Sequence, residues 1–254
     1  MPLQRWTLFF LPFFTLCCSG VNHAAAEEGP VAGQAKQSPG TEQAQSDLLA
    51  MHRWKKNENA LDLKTSFSIS NSVLDLNSRG TVRFRIQRPN SFHVEVVSGG
   101  KRELFVTDGK LLTIYRPQKK VYAQLFAEDS ILGTMFKAIG GLTLQAKLIE
   151  FFWTLDYLSI GAEDVKVTAG GSTQIRGKTC RKYQVVRALE AWDVWIAQGD
   201  TPYPCRLISR TKDQSASTVQ SNELTWTLKP SFNSEDFAFK PPANARKVSM
   251  SGLE

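Results

Sequence analysis

The chain has 254 residues, a net charge of +7 and 42% apolar residues, which is ample for a sizeable core. This composition excludes disordered, collagen-like and disulfide-scaffold classes. Four cysteines, at 17, 18, 180 and 205, match no zinc-finger spacing, and three histidines leave little scope for metal or histidine-based catalysis.

Residues 1–26 read as a secretory signal peptide. Arg5 is their only charge, Trp6 to Cys18 form an apolar run, and Ala24-Ala25-Ala26 fits cleavage before Glu27. The run of about thirteen residues is shorter than the roughly 20 a bilayer span needs. Leu16 and Cys17 precede the two early cysteines, where lipidation wants a small residue. Cleavage after Ala26 removes Arg5 and leaves 30 basic against 24 acidic residues, net +6. It also leaves Cys180 and Cys205 as the only cysteines. In an exported chain they are either a disulfide or two buried thiols.

Residues 27–45, rich in Gly, Pro, Gln and Ala, read as a flexible leader. A helix is expected at about 46–60, capped by Ser46, with Leu48, Leu49, Met51, His52 and Leu61 near one stripe and Trp54 beside it. From residue 62 the period changes to two. Six β-like segments run to about 124, split by Asn-Ser, Pro89-Asn90, Gly99-Gly100, Asp108-Gly109 and Arg116-Pro117. Val82, Phe84 and Ile86 alternate with Arg83 and Arg85, and Phe92, Val94 and Val96 alternate with His93 and Glu95. That pattern predicts a sheet with one covered face and one wet, basic face.

A helical insert interrupts the strands. Residues 128–139 place Ile131, Leu132, Met135, Phe136 and Ile139 on one side, and Gly140-Gly141 ends the helix. Residues 142–158 carry Leu144, Leu148, Phe151, Phe152, Leu155 and Leu158 with only three charges, so this second helix is expected to be sandwiched or to face a cavity. Period two returns from about 164 to 240. Trp192 and Trp195, three apart in one strand, are expected on opposite faces. The fold class is therefore mainly β (α+β): ten to eleven antiparallel strands in one domain, residues 46–248, curved into an open half-barrel around lid helices.

Several segments resemble a family of predicted periplasmic proteins of unknown function, itself similar to the lipoprotein carriers of the LolA and LolB type. They are the hairpin Thr107-Asp108-Gly109-Lys110-Leu111-Leu112-Thr113-Ile114-Tyr115-Arg116-Pro117, the stretch Ile175 to Cys180 with Trp192 to Ile196, Pro202 to Leu207, and Phe237-Ala238-Phe239-Lys240-Pro241-Pro242. The hairpin has one residue more between Leu111 and Tyr115 than the carriers have. The family often has Arg after the proline where this chain has Cys205, which gives Cys180 its candidate partner. The resemblance implies a periplasmic location, a LolA-like half-barrel with helices as a lid, and, from the better-known relatives, carriage of a lipid or lipoprotein.

Catalytic patterns are missing: no nucleophile elbow, H-E-x-x-H, P-loop, dinucleotide fingerprint or EF-hand loop. The adjacent acids Glu128-Asp129, Glu163-Asp164 and Glu235-Asp236 each fit a helix start or a turn. We therefore expect no enzyme, no cofactor and no metal. The first reading is a monomeric binding protein for a hydrophobic or acyl ligand. Its groove is expected to be lined by Phe84, Ile86, Val94, Val96, Leu132, Met135, Phe136, Leu148, Phe151 and Phe152. The alternative is an interaction module of the cell envelope with a filled core. In either case the face of Arg83 and Arg85 is a candidate contact for an anionic membrane or an acidic protein, and nucleic acid is not expected in an exported chain.

Overall fold

Alternating side chains and strong turn residues produce the strands, and one continuous sheet collects them all. A computed structural model of the chain describes residues 39–73, 76–137, 160, 162, 164–212 and 217–253. Helix α1 (Pro39–Asn57) leads into β1 (Ala60–Asn71), β2 (Leu76–Gln87), β3 (Ser91–Ser98), β4 (Lys101–Thr107), β5 (Leu111–Arg116) and β6 (Val121–Phe126). Helix α2 (Ile131–Lys137) follows. Then come β7 (Val165–Ile175), β8 (Lys178–Arg187), β9 (Glu190–Ala197), β10 (Pro204–Lys212), β11 (Ser217–Thr227) and the two-residue β12 (Arg246–Lys247).

The order across the sheet is β12-β6-β5-β4-β3-β2-β1-β11-β10-β9-β8-β7. The chain starts at the centre and walks outward through β6. It crosses to the far edge at β7 and walks back until β11 pairs with β1, Phe67 opposite Asn222. All neighbours are antiparallel except β12, which lies parallel to β6. The sheet is curved and unclosed, as its pattern predicts. Most turns are the expected ones, but Gly170-Gly171, which also reads as a turn, lies inside β7 where the pairing with β8 shifts register between Ala169 and Ser172. Arg176 and Gly177 both have positive φ (49° and 74°), the geometry of a tight two-residue hairpin that matches strand twist. Gly99 and Gly100 repeat it at the β3–β4 turn (56° and 72°). The Arg88–Pro89 bond is cis.

The inner face carries Leu63, Phe67, Phe84, Val94, Phe105 and Ile114 in register across β1–β5, and Tyr183, Val194 and Leu207 across β8–β10. Ala44, Leu48 and Met51 of α1 and Ile131 and Met135 of α2 complete this core. Helix α1 begins at Pro39, seven residues ahead of the expected Ser46, and ends at Asn57 because β1 begins at Ala60. Gln, Ala and Glu are good helix formers, and Ala44 is fully buried, so packing extends the helix into the expected leader. Its buried stripe is Ala44, Leu48, Met51 and Lys55, while Leu49 is exposed. The expected helix at 142–158 and the signal segment lie outside the described residues.

The outer face is less wet than its alternation suggests. The C-terminal segment crosses it and sets Phe239 against Tyr115 and Tyr122, with ring centroids 5.4 and 5.3 Å apart. A 3-10 turn (Ser234–Phe237), closed by an Asn233–Asp236 capping box, buries Phe237 beside β3. Further along the same face, Ile175, Trp195 and Ala197 surround a disulfide between Cys180 and Cys205. The bridge ties β8 to β10 across β9, where small Ala197 sits opposite Cys180. Trp192 lies in the inner core and Trp195 in this outer cluster, on opposite faces as expected.

Candidate functional site

The residues expected to line a groove fall in three places. Phe84, Ile86, Val94, Val96 and Met135 are 0–7% exposed and belong to the inner core, with Leu132 packed against it. Phe136 does not join them and is 48% exposed. Leu148, Phe151 and Phe152 lie outside the described residues. Between the sheet and α1–α2, these β2–β3 positions are therefore filled by side chains.

An opening between helix and sheet occurs elsewhere. A cleft of about 470 Å³ lies between α1 (Gln43, Asp47, Ala50) and the inner face of β8–β9 (Arg181, Tyr183, Ile196), and Ala197, at the end of β9, also borders it. Gln198, Gly199, Asp200 and Pro202, from the β9–β10 loop, form its rim. Arg181, Tyr183 and Ile196 share one face because β8 alternates and Arg181 stands opposite Ile196. Tyr183 donates its hydroxyl hydrogen to Asp47 Oδ2 at 2.6 Å, a charge-assisted bond that ties α1 to the sheet. Burial first, and then the Asp47 carboxylate, push the Tyr183 phenol well above its ordinary range. It stays a donor and is a poor nucleophile. The Arg181 guanidinium lies 5.9 Å from the Tyr183 ring centre. The cleft thus combines an apolar floor, a carboxylate fixed by a phenol and one guanidinium. Its loop rim is held by Ala197 N donating to Tyr203 O and Gln198 N donating to Thr179 O, both at 2.9 Å, close to the disulfide. Among the described residues, no group of three His, Cys, Asp or Glu side chains stands close enough to hold a metal ion.

Sequence reasoning missed this site. Gln43 falls in the expected leader, and Arg181 and Tyr183 fall in the period-two stretch from about 164 to 240. The legible signal was the Arg181-x-Tyr183 alternation, which puts both on one face.

The predicted basic face is largely neutralised. Arg83 grips Asp62 with two bonds at 3.1 and 2.9 Å, in reach because β1 and β2 are paired. Arg85 reaches Asp236 in the C-terminal segment at 3.1 Å and donates to His93 Nδ1 at 2.8 Å. On the other half, Asp193 is buried, with Lys182 at 3.2 Å and Arg210 at 2.7 Å. Burial pushes its carboxyl up, but hydrogen bonds from Arg210 and Lys182 outweigh that and hold it below the ordinary range.

Fold and cleft together define an open antiparallel half-barrel with a helix-walled cleft at one end. The chain belongs to the family described as predicted periplasmic protein (DUF2092), which matches residues 49–251. It is similar to the solved structure of LprF from Mycobacterium bovis at 14% identity, with 81% of this chain and 98% of that chain covered and a TM-score of 0.48. The lipoprotein LppX from Mycobacterium tuberculosis is similar at 13% identity, over 76% of this chain and 99% of that one, with a TM-score of 0.42. A LolA superfamily protein from Nitrosomonas europaea is similar at 9% identity, over 77% and 97%, with a TM-score of 0.35. No curated protein matches the sequence.

Proposed function

We propose that this protein is an exported, monomeric, non-enzymatic binding protein that carries or senses a hydrophobic ligand between its helices and the inner face of its sheet. Residues 1–26 would act as a signal removed after Ala26, and the chain from Pro39 to Leu253 as the single folded domain. The observation that carries this reading is the 470 Å³ cleft between α1 and β8–β9, within the roughly 300–1,000 Å³ range of small-molecule sites. Its apolar lining of Ala50 and Ile196 suits an acyl chain, and Arg181 at its wall suits an anionic head. Burial alone would contribute roughly 0.8 kcal/mol per methylene. The Tyr183 phenol, kept protonated, supports positioning rather than chemistry.

Native mass spectrometry of the chain purified from the periplasm tests the proposal, together with titration by a fluorescent fatty acid. A mature mass beginning at Glu27, a co-purifying ligand, and at least tenfold weaker probe binding by Ala50→Trp, which fills the cleft, are the expected results. A bare mass with no probe binding would overturn the carrier reading. It would favour the second reading, an interaction module of the cell envelope, which is supported by the burial of Phe84, Ile86, Val94 and Val96 in the core.

A further inference from the structure

Several cations on the sheet faces are held by carboxylates, as Arg83, Arg85, Lys182, Arg206 and Arg210 are, while strand residues such as Lys64, Lys166 and Lys178 are not, among the described residues. At one corner, such cations without a carboxylate gather. There the β3–β4 turn, the β5–β6 turn and β12 come together. Arg102 N donates to Gln118 Oε1 at 3.3 Å, and Arg246 N donates to Lys120 O at 2.9 Å. These contacts gather Lys101, Arg102, Arg116, Lys119, Lys120, Arg246 and Lys247, which are far apart in sequence. Two carboxylates answer them. Glu95 takes Arg102 at 2.7 Å, and Glu103 takes Arg116 at 2.6 Å. Lys101, Lys119, Lys120, Arg246 and Lys247 are exposed, and among the described residues none of the five has a carboxylate within ion-pair distance. A cleft of about 260 Å³ opens among Lys101, Arg102, Glu103, Arg116, Gln118 and Lys119.

We propose that this corner docks the protein on an anionic phospholipid surface. Four of the five cations without a carboxylate are lysines on turns or at strand ends, of which Lys119 donates to Leu253 O at 3.4 Å. A lysine is a mobile, strongly hydrated point charge, which suits a fluid layer of headgroups. Recognition of a particular acidic peptide would instead favour preorganised guanidinium forks, and here Arg102 and Arg116 are already committed to Glu95 and Glu103. A membrane also accepts charges spread over three turns without a fixed register. The family is described as predicted periplasmic, and a periplasmic chain faces membrane surfaces on both sides. Each cation near an anionic surface raises partitioning roughly fivefold, so losing three costs on the order of a hundredfold. The corner lies at the β6–β12 edge, while the 470 Å³ cleft lies towards the β7 edge. Surface docking and ligand binding can therefore be measured separately.

Co-flotation of the mature chain with vesicles tests the proposal, using phosphatidylcholine alone or mixed with phosphatidylglycerol at low salt. The protein is expected to float only with the anionic vesicles and to be released by salt. Lys101→Glu/Lys119→Glu/Lys247→Glu should abolish flotation. Lys64→Glu/Lys166→Glu/Lys178→Glu, with the same net charge but exposed positions elsewhere, should retain it. A trio of Lys→Gln changes at 101, 119 and 247 should bind at an intermediate level, which separates lost attraction from a fold damaged by charge reversal. No flotation of the wild type, or equal loss in both Glu trios, would overturn the proposal. So would binding to soluble polyglutamate with none to vesicles, which would assign the corner to an acidic protein.

Discussion

Removing the Cys180–Cys205 bridge should destabilise the protein by a predictable amount. The two cysteines are 25 residues apart, and the cross-link joins β8 to β10 over β9. In the chain-entropy account, a loop of that length restricts the unfolded state by about 3.5 kcal/mol at 25 °C. The native state should lose little else, because Cys180→Ala/Cys205→Ala deletes only two sulfurs from a cluster still packed by Ile175, Trp195 and Ala197. For a chain of this size each kcal/mol moves the melting midpoint by about 2–4 °C, so the expected fall is about 7–14 °C. Urea unfolding of the wild type and the double variant measures it directly. The m-value should rise in the variant, because an uncrosslinked unfolded chain exposes more surface. Reduced wild type should match the variant. A difference below about 1 kcal/mol, or two titratable thiols in the oxidised, unfolded wild type, would refute the reasoning. Because Ala197 belongs to the disulfide cluster and also borders the 470 Å³ cleft, the same variant should show faster amide exchange in loop 198–203.

Two further predictions rest on single positions. Gly80→Ala should cost about 1–3 kcal/mol, because a Cβ there would lie 2.1 Å from Val97 O and 2.8 Å from the Phe67 ring, and a ladder carbonyl yields only if the strand moves; a melting midpoint equal to wild type would contradict this. The protein should lose stability on mild acidification through His93. Burial, with the Arg85 guanidinium next, holds its imidazole below the ordinary value of 6.5, while Asp236 O and Glu95 oppose this and Arg102 adds to it. Arg85 only donates, so it needs the lone pair of His93 Nδ1, and protonation removes that acceptor. The folded state therefore binds the proton less readily than the unfolded one. The associated stability is present above about pH 6.5 and is lost as pH falls through the lowered value. Urea midpoints from about pH 7.5 down to about pH 5 should fall less steeply in His93→Gln, and parallel curves would exclude His93 as the source.

Local pattern and non-local contact divided the work unevenly. The alternation of Val82, Phe84 and Ile86 with Arg83 and Arg85 named the inner face of β2 correctly. It could not say that Asp62 and Asp236 would meet those arginines, because one partner lies on the neighbouring strand and the other 151 residues away. The same limit hid the outer-face cover: Phe239 looks like part of an ordinary tail until Tyr115 and Tyr122 are placed beneath it. The start of α1 failed for another reason. Gly, Pro and Gln between 27 and 45 read as linker, and only contact with the core shows that Ala44 is part of a packed stripe.

The candidate site was the least legible feature. Apolar inward positions look the same whether they line a hollow groove or fill a core, since burial is the same demand in both. Tertiary structure decided that Phe84, Ile86, Val94 and Val96 are packed and that an opening lies between α1 and β8–β9. It also decided where positive charge stays free. Excess charge is set by composition, but which cations remain unpaired depends on strand register and on where the chain returns. By itself the sequence determined the strand-rich class, most turn positions, the opposite faces of Trp192 and Trp195 and the scarcity of catalytic residue types, because each of these is written in local periodicity or composition. Strand order, ion pairing and the position of the cleft join residues as far apart as Asp62 and Thr227, and only the folded chain brings those together.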